Sequence, residues 1–406
     1  MEITKSMENQ TAVSMTLTKY LLEKSKDSNV VFSPLLLQLV LSLVAAGAQG
    51  QSLEELLSFL KAESPDELNS VASHLVKYLF VDDPPSDAKL RLSLANGVWI
   101  DKSISFKPFF SKVVDDVYQG ASDVVDFENE ANEAAKKVNS WVKKKTNGLV
   151  KDAISPGSLD HDTKIIFANA IYFKGFWANK FDMLKTSKND FHLLDDSSVR
   201  VPFMTSYINY YRISAFDGFK VLELPYNTEA DMRKVSMFFY LPDAKDGLST
   251  LVDKLASEPG FIERHIPSDC ERVGKLQIPK FKMSFGFEAS EVLKELGVSA
   301  PFIRGRRDFD GMVNSQEIEL LYVSSVFQKS YIEVNESGTE ACAYTRARLS
   351  GGGAPPVTKI DFIADHPFLF LIRENKTGVV LFIGQVLNPL ASWPPFYLDF
   401  GNSEKY

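Results

Sequence analysis

The chain has 406 residues, 45% hydrophobic and 24% charged, with a formal net charge of −8. These are ordinary globular values, and the acidic balance argues against nucleic acid as a default partner. No run reaches the roughly 18–20 apolar residues that a membrane span needs. Two cysteines, Cys270 and Cys342, are too few for a disulfide framework and suit a reducing compartment.

The amino terminus is polar and reads as an amphipathic helix over 8–25, not as a basic stretch followed by an apolar leader. That sets a cytoplasmic expectation, with the extracellular space left open. NVVFS (29–33) reads as a short strand, ended by Pro34 at the first position of a helix over 35–48. GVWI (97–100) is a strand. Residues 128–148 form a helix with an apolar stripe and an Asn-Gly stop. KIIFANAIYFKGFW (164–177) is a strand too apolar to lie at an edge. Strands then crowd together at 219–226, 235–243 and 275–281, with a helix at 287–297. The last strands are SYIEVNE, DFIADHPFLFLIREN and TGVVLFIGQVL. Strands and helices do not alternate one for one, and no composition break divides the chain. Both points favour one mixed α+β domain.

Catalytic motifs are missing. There is no nucleophile elbow, phosphate loop or GxGxxG, and the five histidines form no metal-binding pair. No metal or other cofactor is implied, and an enzyme is not expected. The acidic DHD (160–162), Lys143, Lys144 and Lys145, and RGRRD (304–308) read first as solvated loops or helix ends. RGRRD has a second reading as an exosite for an acidic partner.

One stretch resists a bland reading. GTEACAYTRARLSGGGAPP (338–356) has the glycines and prolines of a loop, yet its first half alternates. Thr339, Ala341, Ala343, Thr345, Ala347 and Leu349 are small or apolar. Glu340, Cys342, Tyr344, Arg346 and Arg348 lie between them. Period two belongs to a strand with one buried face.

The motifs NVVFSP, LANGVWID, NSWVKKKTNGLVKD, FANAIYFKGFW, VPFM, FKVLELPY, MFFYLPD, IPKFK, LYVSSVFQKSYIEVNESGTEA, DFIADHPFLFLI and GVVLFIGQVLNP occur in this order over about 380 residues. In that arrangement the chain resembles the serpins, and in particular the plant type. The resemblance implies one serpin domain over 1–390, with three β-sheets, about nine helices and an exposed reactive-centre loop near 338–358. Residues 391–406 are then a poorly ordered tail. It also implies a function: inhibition of a serine or cysteine endopeptidase by a covalent complex, in which the cut loop inserts into the large sheet as a strand. The alternative is a serpin scaffold used for binding, storage or interaction. The chain is expected to be a monomer able to polymerise when the sheet opens, without nucleic-acid or membrane partners.

Residue by residue, the resemblance makes Gly338 the hinge, with Glu336, Thr339, Glu340, Ala341 and Ala343 beside it. Trp177 and Lys280 mark where the loop enters the sheet. Ser33, Leu36, Asn169 and Gln328 mark where the sheet opens. Two of these depart from the family. Leu36 stands where a second serine is usual, and Gln328 stands where histidine is usual, so an apolar contact is expected to replace part of a polar cluster. Counting forward from Gly338 puts the scissile bond after Gly352; counting back from DFIADHPF puts it after Gly351. Arg348 and Leu349 are the alternatives, although a cut after Arg348 leaves only 338–348 to insert.

Overall fold

The computed structural model describes residues 2–80, 88–148, 150, 152–206, 210–228, 231–314, 321–337 and 359–391. In chain order the elements begin α1 (Glu2–Lys24), β1 (Val30–Phe32), α2 (Pro34–Gly47), α3 (Gly50–Leu60), α4 (Pro65–Leu79), β2 (Leu90–Asp101), β3 (Ser105–Phe106), α5 (Pro108–Asp116), β4 (Ala121–Val125), α6 (Phe127–Lys145) and β5 (Ile165–Gly175). The middle holds β6 (Ser187–His192), β7 (Ser198–Met204), β8 (Tyr210–Phe216), β9 (Phe219–Pro225), β10 (Val235–Pro242), α7 (Leu248–Ser257), α8 (Phe261–Arg264), β11 (Cys270–Pro279) and β12 (Phe281–Glu288). The last elements are α9 (Ser290–Glu295), β13 (Val313–Asn314), β14 (Val323–Val334), β15 (Ile360–Ile363), β16 (Phe368–Glu374) and β17 (Val380–Val386).

Local chemistry sets several boundaries. The Ser33 hydroxyl accepts from the Leu36 N–H at 3.2 Å, and Pro34 takes the first helical position, so α2 starts where the sequence says it should. α2 is buried almost all round, which its near-continuous apolar run requires. At the far end of α6, Asn147 and Gly148 take left-handed angles, φ 51° and 82°, and stop the helix. Lys143, Lys144 and Lys145 sit in its exposed last turn.

Three sheets form. A ten-stranded sheet has the order β1-β17-β16-β10-β9-β8-β11-β7-β6, with β15 beside β11. A five-stranded sheet has the order β12-β14-β5-β2-β4, and β13 pairs β3. In the five-stranded sheet β5 is the middle strand. Its Ile165, Phe167, Ile171 and Phe173 join the main core with α2, while Ile166, Ala168 and Ala170 lie in a second core with α6. That two-sided burial is why its sequence lacks alternation.

Several expected boundaries move. Residues 275–281 read as one strand, but the chain leaves β11 at Pro279 and starts β12, in another sheet, at Phe281. The helix expected over 287–297 shortens to α9, because Phe287 and Glu288 still pair in β12 with Gln328 and Phe327. DFIADHPFLFLIREN is two strands, β15 and β16, joined by a corner at 364–367. The strand over 164–177 ends at Gly175, and Trp177 keeps only an isolated bridge to Tyr226. The DHD and RGRRD loops meet: Arg304 pairs with Asp162 at 3.1 Å and lies over the Tyr322 ring, and Arg306 pairs with the buried Asp308 at 2.9 Å.

Candidate functional site

Two adjacent strands, β5 and β14, run parallel, from Val326 opposite Phe167 to Tyr331 opposite Tyr172. β14 leads directly into residues 338–358. Every second residue of β14 is buried: Val326, Gln328, Ser330, Ile332 and Val334. At the middle of this seam Asn169 faces Gln328, and on the other side Asn96 of β2 faces Asn169. Three amide side chains therefore stand in one row across the sheet.

The row is tied to the start of α2. Asn169 Nδ2 donates to the Leu36 carbonyl at 3.0 Å, and Gln328 Nε2 donates to the Ser33 carbonyl at 2.7 Å. The four residues expected to mark where the sheet opens thus come together, with Leu36 and Ser33 joining the amides through their backbone carbonyls. The expected apolar substitution leaves the cluster polar, with backbone carbonyls as the acceptors. The amide oxygens Asn96 Oδ1, Asn169 Oδ1 and Gln328 Oε1 are buried, and among the described residues none has a hydrogen-bond partner; nor does Ser330 Oγ. Buried, unpaired acceptors of this kind cost about 1–3 kcal/mol each.

At the end of the seam the chain is anchored before it enters 338–358. Trp177 stacks on Tyr226, centroids 4.5 Å apart, and its indole N–H donates to the Asn335 carbonyl at 2.8 Å. The next residue, Glu336, is buried. It pairs with Lys280 at 2.6 Å and accepts from the Thr186 hydroxyl at 2.7 Å. Burial alone would push the Glu336 carboxyl up, but the hydrogen bonds from Lys280 and Thr186 outweigh it and hold the carboxyl below its ordinary value. The break between β11 and β12 now has a reason, since it places Lys280 at this anchor. Thr186, Asn335 and Asn96 are absent from the sequence reading. Only Asn96 carries a signal, the Ala-Asn pair shared by LANGV and FANAI.

The chain returns at Lys359 into β15, whose Ile360 pairs with Val273 of β11. Val273 and Lys280 are seven residues apart, so roughly 23 Å of strand separates the two roots. The segment 338–358 could reach roughly 70 Å, far more than that span requires. Gly338, Thr339, Glu340, Ala341, Ala343, Arg348, Leu349, Gly351 and Gly352 lie outside the described residues, as does the tail from 392 onward. Among the described residues no cluster of three or more His, Cys, Asp or Glu could hold a metal ion, and no helix is long and apolar enough to cross a membrane.

A lowered carboxyl gives a pH dependence with a definite sign. The Glu336 anchor contributes fully above its reference value of 4.5 and is lost as pH falls through the depressed folded value. Its worth is on the order of 1 kcal/mol, because Lys280 is a third exposed. Melting curves of the wild type and Glu336→Gln should therefore differ at pH 7 and converge in acid. A constant difference at all pH values would contradict the assignment.

A mixed sheet with a parallel seam leading into a long segment, packed with a ten-stranded sheet and, among the described residues, nine helices, is the architecture of a serpin. The family model described as serpin (serine protease inhibitor) matches residues 8–389, and the chain belongs to that family. Among its relatives are plant serpins. Serpin-ZX of Arabidopsis thaliana is 50% identical over 393 residues, covering 96% of this chain and all of that protein. Serpin-ZXA of Oryza sativa subsp. japonica is 49% identical, covering 89% of this chain and 90% of that protein. The Arabidopsis serpin AtSerpin1, solved in a native stressed conformation, superposes with a TM-score of 0.88 at 48% identity, over 96% of this chain and 99% of that one. Maspin gives 0.81 at 27% identity, over 96% and 100%. The chain is thus a protease inhibitor by family and not an enzyme.

Proposed function

We propose that this serpin traps a serine or cysteine endopeptidase as a suicide substrate. The protease nucleophile attacks a carbonyl within 338–358, the amine leaves with a proton, and an acyl-enzyme forms. The first half of the segment then enters the seam between β5 and β14 before water can hydrolyse the acyl bond. In this reading residues 1–390 are the working unit and the tail 391–406 takes no part. The protein acts as a monomer, and an opened seam in one copy can take the segment of another.

The observation that carries this reading is the parallel seam. A strand doubling back from β14 would run antiparallel to both β14 and β5, replacing one slanted parallel pairing with two antiparallel ones. The register is also favourable. If Thr339 enters opposite Val334, the last residue of β14, then Ala341 meets Ile332, Ala343 meets Ser330, Thr345 meets Gln328 and Ala347 meets Val326. The small residues all fall on the buried face of β14, and a slip of one would bury Glu340 and Arg346 instead. About ten new ladder bonds at about 1 kcal/mol net each would make the inserted form the more stable one, and the uncut form a kinetic trap.

A second reading, a serpin scaffold without inhibition, has its own support. In this register Tyr344 would face α6 opposite Lys329, whose ammonium is already held by the Asp152 carbonyl at 2.8 Å. The bait is also bland, since Gly351 and Gly352 offer no side chain to grip. A panel of proteases with small, basic-specific and papain-like pockets distinguishes the two readings. Trapping is expected to give a complex with at least one of them that survives boiling in detergent. Cleavage by all, with no such complex, would leave the scaffold reading.

A further inference from the structure

The chain returns from 338–358 on β15, a strand of four residues whose register against β11 is interrupted by a shift between Val273 and Leu276. Such a short, bulged strand has little pairing of its own, and the corner after it supplies what the ladder lacks. There the Ala364 N–H donates to the Gln277 carbonyl at 2.9 Å, and the His192 N–H, at the end of β6, donates to the Asp365 carbonyl at 2.7 Å. His366 closes the corner. Its ring is buried, with Nδ1 2.8 Å from Asp365 Oδ1 and Nε2 2.8 Å from the Pro242 carbonyl at the end of β10.

Both partners of the ring are acceptors. Burial would raise the Asp365 carboxyl, but the hydrogen bond from His366 and the neighbouring imidazoles hold it below its ordinary value, so it is ionised at neutral pH. A neutral imidazole has one N–H and can satisfy only one of the two oxygens. Its other nitrogen would then point a lone pair at the second oxygen from hydrogen-bonding distance. Only the imidazolium donates to both. Among the described residues, the charged and titratable groups beside the corner include His192 on β6 and, past Pro242, Asp243, which pairs with Lys220 of β9 at 3.8 Å. Lys220 already has that partner, leaving no cation better placed than His366 to serve Asp365 among the described residues.

From this geometry we infer that His366 is a proton-operated clamp on β15. When protonated it fastens the return leg of the 338–358 segment to β10; when it loses the proton, one of the two bonds gives way and β15 loosens from β11. The inference concerns attachment of the return leg and holds whether or not the front half of the segment inserts.

Amide hydrogen exchange tests it, with protection factors of residues 360–364 and His192 compared with those of β16 between about pH 5.5 and about pH 8.5, the range in which histidine charge changes. In the wild type, protection of these amides relative to β16 is expected to fall about tenfold as pH rises, the effect of one lost hydrogen bond. In His366→Gln it should be low and independent of pH. Asp365→Asn is the decisive variant, because its amide can donate to a neutral ring that itself donates to Pro242. Its protection should stay high at both ends of the range. A flat wild-type profile, or a pH slope retained in His366→Gln or Asp365→Asn, would overturn the clamp.

Discussion

Replacing Thr345 by aspartate is expected to turn the inhibitor into a substrate: the segment is still cut at the wild-type rate, but the yield of detergent-stable protease complex falls about a hundredfold. Two amide oxygens at the seam, Asn169 Oδ1 and Gln328 Oε1, are buried without a hydrogen-bond partner among the described residues. In the proposed register the side chain of residue 345 arrives between them. A threonine hydroxyl can donate to one of these oxygens and ends a cost of about 1–3 kcal/mol. An aspartate would bring a carboxylate against two carbonyl oxygens with no water to screen them. Burying an unpaired charge costs several kcal/mol, and about 2.7 kcal/mol is enough for the hundredfold loss. Thr345→Ser should keep full trapping, and Thr345→Val, which keeps the shape without the donor, should lose about fivefold to tenfold. Cleavage rates and complex yields, measured side by side, separate these effects from a change at the scissile bond. Equal yields from Thr345→Asp and wild type would reject the register.

The second large effect lies at the anchor. Trp177→Ala is expected to cost about 3–5 kcal/mol in unfolding free energy, the range for removing a buried tryptophan. Trp177 is 4% exposed, packs on Tyr226 and Phe181, and holds the Asn335 carbonyl just before the segment begins. Its loss frees Asn335 and Glu336 together, so the uncut protein should also form polymers on mild warming, seen as a ladder on native gels. Trp177→Phe keeps the ring stack and removes the hydrogen bond, so it should cost about 1 kcal/mol. Unfolding curves in which Ala and Phe behave alike would show that packing at this position matters less than the geometry implies.

Much of the frame is legible in the chain itself. The seam strand β5 announces its double burial by its unbroken apolar run, and Ser33-Pro34 and Asn147-Gly148 punctuate their helices by backbone chemistry alone. Helix α4 carries a signal that hydrophobic pattern reading passes over: Ser64 caps the Glu67 N–H, Glu67 returns to the Glu63 N–H, and Pro65 sits in the first turn. The break at Lys280 is only faintly marked: Leu276 and Ile278 alternate, Lys280 falls where the next apolar residue would stand, and Phe281 shifts the phase by one where the chain changes sheets. The anchor is the hardest part to foresee. Glu336 and Thr186 are 150 residues apart, and nothing local in TSKND marks Thr186 as the partner of a buried carboxylate. Likewise the substitution of Gln328 suggests a lost polar contact, whereas the fold supplies the Ser33 carbonyl as a new acceptor. Backbone acceptors have no sequence signature, so a side-chain pattern cannot report them.

The most direct test is the melting temperature before and after nicking 338–358 with a promiscuous protease, with the cut mapped by mass spectrometry. If the first half of the segment enters the seam between β5 and β14, the nicked protein should melt at least about 10 °C higher than the intact one, since about 10 kcal/mol of new pairing against an unfolding entropy of about 0.8 kcal/mol per degree shifts the transition by about 12 °C before burial of the inserted side chains is added. An unchanged or lower melting temperature, with the cut near Gly351 or Gly352, would contradict insertion and with it the trapping mechanism.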